Sequence, residues 1–315
     1  MAQPPQAYFN RRPDVVSAFW IGAHIALVFF PVFASAYAGP AWWWVLAWAF
    51  VGSTMNGVLN LMHECAHGLA FRSKVRSEAL GRYVVAPAVF ADFDGYKSRH
   101  WKHHRHLGGP GETKDAYLIE IRGRRLLRLF VRCLTGVEAL GKFSGQARPE
   151  AAPQPTGRGH WFVRVVIVHA LLAGALAATA AVGQRDWSAA LLSAVAAYLF
   201  TYVYALMSLT VFCATLRAIA EHQIHGISDV RGYAALRNFE CNPVTRLLMG
   251  AYGFGEHQTH HRHPGIPYYQ LPAATMRLAE DHQSMTPGPG YFGTLVRMVR
   301  SRESGCSTTA GAAVL

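Results

Sequence analysis

Charged residues are scarce in this chain: Asp, Glu, Lys and Arg make up 15% of its 315 residues, whereas soluble globular domains carry about 25%. Hydrophobic residues account for 51% of the chain. This composition is too apolar for an ordinary soluble domain, so we predict an integral membrane protein.

Paired cysteines are missing as well. None of the five cysteines belongs to a C-x-x-C pair, which excludes zinc ribbons and thioredoxin-type redox motifs. We therefore expect no disulfide among Cys65, Cys133, Cys213, Cys241 and Cys306.

Acidic residues are few, with 18 Asp and Glu against 30 Lys and Arg and a formal net charge of +12. Many basic proteins bind nucleic acid, but no known nucleic-acid-binding motif occurs here. We interpret the positive charge instead as an inner surface that contacts anionic membrane lipids, and we expect no nucleic-acid partner.

Four apolar runs are long enough to cross a bilayer, which takes about 20 residues in a helix. No repeat of solenoid period occurs, so the prediction is a single all-α membrane domain over residues 1–315. A Pro-, Gly- and Ala-rich flexible linker is expected at about 144–159 and a disordered tail at 301–315. The predicted spans are about 15–37, 41–62, 161–182 and 187–216.

The orientation of the spans follows from Lys and Arg, which concentrate in cytoplasmic loops. Between His67 and His160 there are 17 of these residues, and nine more follow Leu216. The two loops on the opposite side contain only Arg185. Both chain ends are therefore predicted to lie inside, and the Ala- and Arg-rich composition favours a bacterial inner membrane.

Two shorter segments are predicted to lie at the inner membrane surface. Residues 79–90 are apolar but too few to cross the membrane, and Pro87 interrupts them. Over 124–137 apolar residues recur at helical spacing, while Arg125, Arg128 and Arg132 share the other side. This pattern is typical of an interfacial amphipathic helix.

Sixteen histidines are present, and most of them fall in three short clusters. Box one is the stretch 63–67 (HECAH), box two is 100–106 (HWKHHRH) and box three is 257–263 (HQTHHRH). Four spans return the chain to the inner side at each box, so the three boxes can meet without crossing the membrane. His222 follows the fourth span closely.

The spacing within the boxes indicates where the imidazoles point. Residues four apart share a helix face, so His63 and His67 aim at one point. In the H-x-x-H-H of boxes two and three, we expect the first and fourth residues to share a face and the fifth to turn away by about 100°. Each of these boxes would then serve two metal ions. Ser53, Asn56 and Asn60 continue the stripe of box one and are predicted to face the bundle interior.

Imidazole binds zinc, copper, iron and nickel, so ligand type alone does not identify the metal. The number of histidines exceeds what one tetrahedral zinc uses and favours two metal ions. Box one also matches the H-E-x-x-H signature of zinc metalloproteases, with Asp94 as a third ligand, but that interpretation leaves boxes two and three unexplained. A soluble di-iron carboxylate bundle needs two E-x-x-H motifs, and only Glu64 with His67 forms one. A membrane metal or haem transporter would carry ligands along the spans, whereas the histidines here are gathered at one face of the membrane.

The three boxes, in this order, resemble those of the membrane fatty acid desaturase and hydroxylase superfamily. The residues after box three, 264–272 (PGIPYYQLP), are similar too, and the resemblance runs from His63 to about Pro272. It implies a mushroom-shaped helical bundle with a substrate tunnel under two non-haem irons. Carried over by position, the implied metal ligands are His63, His67, His100, His103, His104, His222, His257, His260 and His261.

Some positions stay open within this resemblance. His106, His225 and His263 are lesser candidates for a ligand position. The stretch 114–116 (KDA) departs from the Asp-Pro-Asp pattern of many relatives, which leaves the substrate subgroup undecided. Beyond the metal ligands we predict no catalytic residue. The acidic residues beside the boxes are candidates to orient ligand imidazoles: Glu64, Glu221 and Glu256.

The resemblance also implies the reaction. The first expectation is an acyl-lipid fatty acid desaturase that uses O2 as co-substrate, and the alternative is a hydroxylase or ketolase of a carotenoid, fatty acid or sphingoid base. The stretch 288–293 (GPGYFG) fits a dinucleotide fingerprint formally, but no βαβ unit surrounds it, so no nucleotide cofactor is predicted. Electrons are therefore expected from a separate ferredoxin, rubredoxin or cytochrome.

Overall fold

The computed structural model describes residues 6–37, 41–107, 123–143, 158–222, 236–280, 287–288 and 290–300. These residues are almost entirely helical. The helices are α1 (Asp14–Tyr37), α2 (Ala41–His67), α3 (Lys74–Leu80), α4 (Ala86–Ala88), α5 (Phe93–His106), α6 (Gly123–Leu134), α7 (Val137–Phe143), α8 (Arg158–Gly183), α9 (Trp187–Ala196), α10 (Val211–His222), α11 (Pro243–Leu248), α12 (His257–Arg262), α13 (Leu271–Glu280) and α14 (Tyr291–Arg300).

Irregular turns join several of these helices. A π-helical turn at Gly81–Val85 links α3 to α4, and two more at Ala197–Tyr204 and Leu206–Thr210 carry α9 into α10. A 3-10 helix at Ala251–Glu256 precedes α12. Two short strands, β1 (Asn238–Phe239) and β2 (Pro287–Gly288), pair in parallel.

Four helices are long and apolar enough to cross a membrane, in agreement with the prediction of an all-α integral membrane fold. The first, α1, covers the predicted span, and α8 exceeds its predicted span slightly at both ends. The other two extend beyond their predicted C-terminal ends: α2 continues to His67, and the helix that starts at Trp187 continues to His222. Both helices therefore deliver histidines directly from the ends of spans.

The spans pack closely where one of them has a small residue. A Cβ on Gly52 of α2 would lie 2.7 Å from the Leu209 Cβ and 3.2 Å from the Ala205 carbonyl oxygen. Hydrogen bonds add to this contact, because the Thr210 hydroxyl donates to the Gly52 carbonyl at 2.8 Å. Small residues and interhelical hydrogen bonds are the usual means of joining helices in lipid.

The apolar segment predicted at 79–90 forms the end of α3, the π turn and α4, and it packs on the spans. Gly81 is in tight contact with α2 and α5, since a Cβ there would lie 2.8 Å from the Cys65 Cβ and 2.2 Å from the Phe93 ring. On the other side, the His169 side chain of α8 lies 3.1 Å from the Pro87 carbonyl oxygen and 3.0 Å from the Tyr198 hydroxyl. His169 is thus a hydrogen-bonded core residue.

The amphipathic segment predicted at 124–137 forms α6, but its most buried side faces protein. Leu126 and Phe130 are buried in a cluster with residues of α10 and α14, and Cys133 is buried as well. The helix ends earlier than predicted, because Gly136 has a φ of +79° and starts a turn into α7. Residues distant in the sequence therefore cover this row of side chains, and the interfacial position of the helix stays a prediction.

The remaining predicted segments fall mostly beyond the described ranges. Of the predicted linker at 144–159, only Arg158 and Gly159 are described, and they begin α8. The predicted tail at 301–315 lies outside the described residues. The single-domain organisation stays a prediction.

Candidate metal centre

Box one occupies the last turns of α2. The i, i+4 spacing brings the rings of His63 and His67 to a centroid distance of 4.6 Å. The helix ends because Gly68 adopts a φ of +72°, and the Leu69 N–H then donates to the Glu64 carbonyl at 2.9 Å. This cap holds box one at the C-terminal end of the span.

Box two lies on α5, which starts at an aspartate cap. The Asp92 carboxylate accepts from the backbone N–H groups of Asp94 and Gly95, both at 3.2 Å. His100 and His103 on this helix are 2% and 0% exposed. The helix therefore directs its histidines inward.

Box three lies on the short α12, which distant residues position. Gly253 has a φ of +75°, and a Cβ there would lie 2.7 Å from the Leu271 side chain, so only glycine fits this turn. Asn238 then caps α12, because its Oδ1 accepts from the N–H groups of Gln258 and Thr259 at 3.0 and 3.2 Å. Sequence reasoning missed Asn238, whose neighbours carry no local signal for this role.

Five of the predicted ligands converge in what we call group one. One nitrogen of each lies within 4.8 Å of one nitrogen of every other. The Nε2 atoms of His67 and His100 are 2.7 Å apart, and those of His104 and His260 are 3.3 Å apart. Group one contains His63, His67, His100, His104 and His260.

The other four predicted ligands form group two. The Nε2 atom of His222 lies 3.3 Å from that of His103 and 3.0 Å from that of His257. His261 joins them, with its ring centroid 4.6 Å from that of His257. The two groups are adjacent, because the rings of His104 and His261 stack at 4.2 Å. Group two contains His103, His222, His257 and His261.

The boxes serve both groups, but not with the predicted pairing. The first and fifth histidines of each H-x-x-H-H share a group: His100 with His104 in group one, and His257 with His261 in group two. The expected pairing of first and fourth residues is wrong. Around an α-helix axis, residues i and i+4 are separated by only about 40°, and residues i and i+3 by about 60°. The first and fifth histidines therefore lie closer to one helix face than the first and fourth do.

The donors fit a pair of metal ions. Nine imidazoles turn nitrogens toward one another in a buried space, and the Nε2 atoms of His63 and His261 make no hydrogen bond within the described part of the chain. Burial lowers the pKa of His261 well below its usual value, and the nearby imidazoles of His257, His104 and His103 lower it further. A neutral imidazole is the form that binds a metal.

The polar stripe predicted on α2 faces the site, in agreement with the prediction for Asn56 and Asn60. The Asn60 amide donates to the Ala251 carbonyl at 2.8 Å, and that of Asn56 donates to the Met249 carbonyl at 3.2 Å. Arg217 of α10 donates to the Asn60 carbonyl oxygen and stacks on the Phe254 ring at 3.8 Å. These contacts attach the segment before box three to two spans.

The three glutamates beside the boxes have different partners. Glu64 Oε1 lies 3.4 Å from His63 Nδ1, and Glu221 Oε2 lies 3.6 Å from His257 Nδ1. Glu256 instead pairs with Arg246 at 3.0 Å. Burial raises the pKa of Glu256, and Arg246 opposes that rise. Two of the three glutamates thus lie beside a ligand imidazole, and Glu256 has a separate ion pair.

The lesser candidates lie elsewhere. His106 is exposed, His263 is half-buried, and neither belongs to group one or group two. His225 lies outside the described residues. Asp94, the third ligand of the protease interpretation, forms an ion pair with Arg82 at 2.7 Å. The His24 ring lies apart from both groups, with Nδ1 at 3.1 Å from the Tyr252 hydroxyl.

The chain is similar to known proteins over most of its length. A family model described as Fatty acid desaturase matches residues 40–287. A beta-carotene ketolase of Haematococcus lacustris is 25% identical over 69% of this chain and 57% of its own length. The human sphingolipid delta(4)-desaturase/C4-monooxygenase DES2 is 27% identical over 74% of this chain and 66% of its own length. A dihydrorhizobitoxine desaturase of Bradyrhizobium elkanii is 23% identical over 89% of this chain and 78% of its own length.

Proposed function

The chain belongs to the fatty acid desaturase family, and on that premise we propose that it is an O2-dependent membrane oxidoreductase with a non-haem di-iron centre. The observation that carries the proposal is the meeting of nine histidines from α2, α5, α10 and α12 in two adjacent groups. An iron pair supplies the activation of O2 and the removal of hydrogen from an unactivated C–H bond. The protein supplies five imidazoles to one metal position and four to the other.

A lipid substrate is supported by an apolar cavity among the spans. This cavity of about 150 Å³ lies between α1, α2, α8 and the last span, and no charged residue lines it. Val58 of α2 forms part of the wall, five residues before His63, and this separation corresponds to roughly 7 Å along a helix. A segment of an acyl or polyene chain would fit this apolar cavity.

Within the family, we propose an acyl-lipid desaturase that introduces a double bond into a lipid acyl chain. Removal of hydrogen from two adjoining carbons gives an alkene, whereas insertion of oxygen gives an alcohol or a ketone. The protein selects between these outcomes by placing one or two C–H bonds near the metals. The second candidate is a hydroxylase or ketolase, which the names of the ketolase and monooxygenase relatives favour.

The electrons for each turnover are proposed to come from a separate carrier protein of the ferredoxin, rubredoxin or cytochrome type. Arg105 is exposed on α5, one residue beyond the His103 and His104 pair, and Lys102 is partly exposed on the same helix. Such a basic surface attracts an acidic carrier by charge complementarity. The same basic residues support the proposal that the boxes face the cytoplasm of a bacterial cell.

Lipid analysis tests the reaction. The full chain is expressed in a desaturase-deficient host together with a carrier and its reductase, and the lipids are analysed by mass spectrometry. We expect new double bonds with the wild-type chain and a loss of desaturation of at least about 100-fold with His260→Ala. Mutation of residues that only hydrogen-bond to metal ligands already lowers metal affinity or activity by about 10- to 100-fold. His160→Ala, which changes an exposed histidine at the start of α8, is the matched control and should retain activity.

Metal analysis of the purified chain tests the centre itself. Two irons per chain support the proposal, and oxygenated lipids without new double bonds would move it to the hydroxylase or ketolase. One zinc and no iron per chain would contradict the di-iron proposal and favour the protease interpretation of box one.

A further inference from the structure

A buried carboxylate stands next to group two without being one of its predicted ligands. Glu221 is 1% exposed and lies in the last turn of α10, immediately before His222. A carboxylate at such a position costs free energy unless partners compensate its charge. The partners of the Glu221 carboxylate therefore indicate its role.

One oxygen of Glu221 has two partners, an ion pair with Arg217 and a hydrogen bond from Tyr291. Arg217 Nε lies 3.2 Å from Oε1, and the Tyr291 hydroxyl donates to the same oxygen at 2.8 Å. Tyr291 is itself fully buried, and its ring stacks on Phe239 at 4.3 Å. The carboxylate orientation is thus set by α10 itself and by the C-terminal helix α14.

The other oxygen faces a ligand imidazole. Oε2 lies 3.6 Å from Nδ1 of His257, while Nε2 on the opposite edge of that ring lies 3.0 Å from Nε2 of His222. The carboxylate thus faces the Nδ1 edge of the His257 ring, and Glu221, His222 and His257 each have a possible ligand atom within 4.8 Å of those of the other two. The Nε2 of His257 is the atom placed to bind a metal, and its Nδ1 is the atom placed to meet Glu221.

The chemistry of a neutral imidazole gives this arrangement a consequence. The ring carries a single N–H, so Nε2 offers a lone pair to a metal only when the proton sits on Nδ1. A carboxylate beside Nδ1 favours that tautomer and fixes the ring plane. A separation of 3.6 Å is longer than a hydrogen bond, but a small rotation of the ring shortens it, and such contacts tighten when a site is loaded.

We propose that Glu221 is a positioning residue for group two: it accepts the Nδ1–H of His257 and so directs Nε2 to the metal. This inference rests on the proposed two-metal function. Arg217 and Tyr291 are the residues that orient the carboxylate, so α14 contributes to the metal centre without supplying a ligand. Group one has its own carboxylate beside His63, namely Glu64, and a change at Glu221 is therefore expected to affect one metal position only.

Cobalt binding tests this assignment without any need for turnover. The full chain is purified in detergent, depleted of metal and titrated with Co2+, with bound metal measured by dialysis and visible absorbance. We expect two Co2+ per wild-type chain. In Glu221→Gln, one site should keep its affinity and the other should weaken by about 10- to 100-fold.

Two further variants separate positioning from a general loss of structure. Glu256→Gln changes another buried glutamate beside box three, one that pairs with Arg246, and it should bind Co2+ as the wild type does. Tyr291→Phe keeps the stacked ring and removes only the hydroxyl that holds Oε1, so it should weaken the same site in the same direction by a smaller factor. The thermal midpoint of each variant is recorded alongside.

Three results would overturn the assignment: wild-type affinity at both sites in Glu221→Gln, equal weakening of both sites, or the same loss in Glu256→Gln. Failure of the wild-type chain to bind two metals would instead overturn the proposed function on which the assignment rests.

Discussion

At the scale of single residues, the buried amides of α2 join the membrane-spanning part of the protein to its metal centre. Asn56 and Asn60 are both fully buried, and each donates to a backbone carbonyl in the segment that leads to box three. A backbone carbonyl buried in a membrane protein needs such a donor, because no lipid atom supplies one. The amides therefore hold the segment that leads to three of the nine predicted ligands.

Replacement of Asn60 by alanine tests this role. Asn60→Ala leaves the Ala251 carbonyl without its 2.8 Å donor and removes an acceptor of Arg217. The expected cost is about 1–3 kcal/mol of unfolding free energy, together with a lower metal content after purification. Thermal unfolding in detergent and metal analysis measure the two effects.

The control for this prediction is Thr179→Ala. Thr179 is partly exposed on α8, and its hydroxyl donates to the Ala175 carbonyl of its own helix at 2.9 Å. This change should leave both measurements near their wild-type values. An Asn60→Ala chain as stable and as rich in metal as the wild type would show that the box-three segment holds its position without the amide.

At the scale of elements, α6 shows how one apolar pattern can suit two environments. Leu126 is fully buried against residues of α10 and α14. The next residue, Leu127, is 47% exposed, and Val131 on the same side as Leu127 is 59% exposed. One row of apolar residues on α6 thus packs against protein, and a second row is exposed on the protein surface.

Adjacent leucines provide a matched pair of substitutions. Leu126→Ala should lower the unfolding free energy by about 2–5 kcal/mol, because it opens a cavity in a packed cluster. Leu127→Ala removes the same atoms from an exposed position and should change it by no more than about 0.5 kcal/mol. Chemical or thermal unfolding in detergent compares the two, and equal effects would contradict the packing of α6 on α10.

At the scale of the whole molecule, function depends on all three boxes lying on one side of the membrane. Box one ends the second span, His222 ends the fourth, and boxes two and three lie on helices that meet them. The four spans and the histidine groups are therefore parts of one arrangement. Its orientation relative to the cell is a separate question that charge predicts.

Cysteine labelling in cells tests the predicted orientation. In a Cys306→Ser background, Arg185→Cys, in the exposed turn between α8 and α9, should react with a membrane-impermeant maleimide added to intact spheroplasts. Arg105→Cys on α5 should react only after the membrane is permeabilised, because the Lys- and Arg-rich side faces the cytoplasm. The reverse pattern would place the histidine boxes outside.

Several features of this protein were predictable from its sequence because they depend on local periodicity. Spans and helix type follow from apolar run length, which is why residues 15–37 correspond closely to α1. The i, i+4 geometry of His63 and His67 likewise needs only the pitch of one helix. The nine ligand candidates came from the resemblance of the boxes to a known superfamily, carried over by position, and they stay a prediction.

Other features depended on contacts between residues far apart in the chain. The division of the ligands into five and four, the cap that Asn238 places on α12, and the link from Tyr291 to Glu221 each join segments separated by 20 residues or more. Local pattern also could not tell that α6 buries Leu126 against protein, since an apolar face has the same spacing whether protein or lipid covers it. The sequence by itself determined which helices form and which imidazoles they carry, because those properties repeat every turn of a helix. Only the tertiary structure decided which nitrogens share a metal position, because that depends on how separate helices pack.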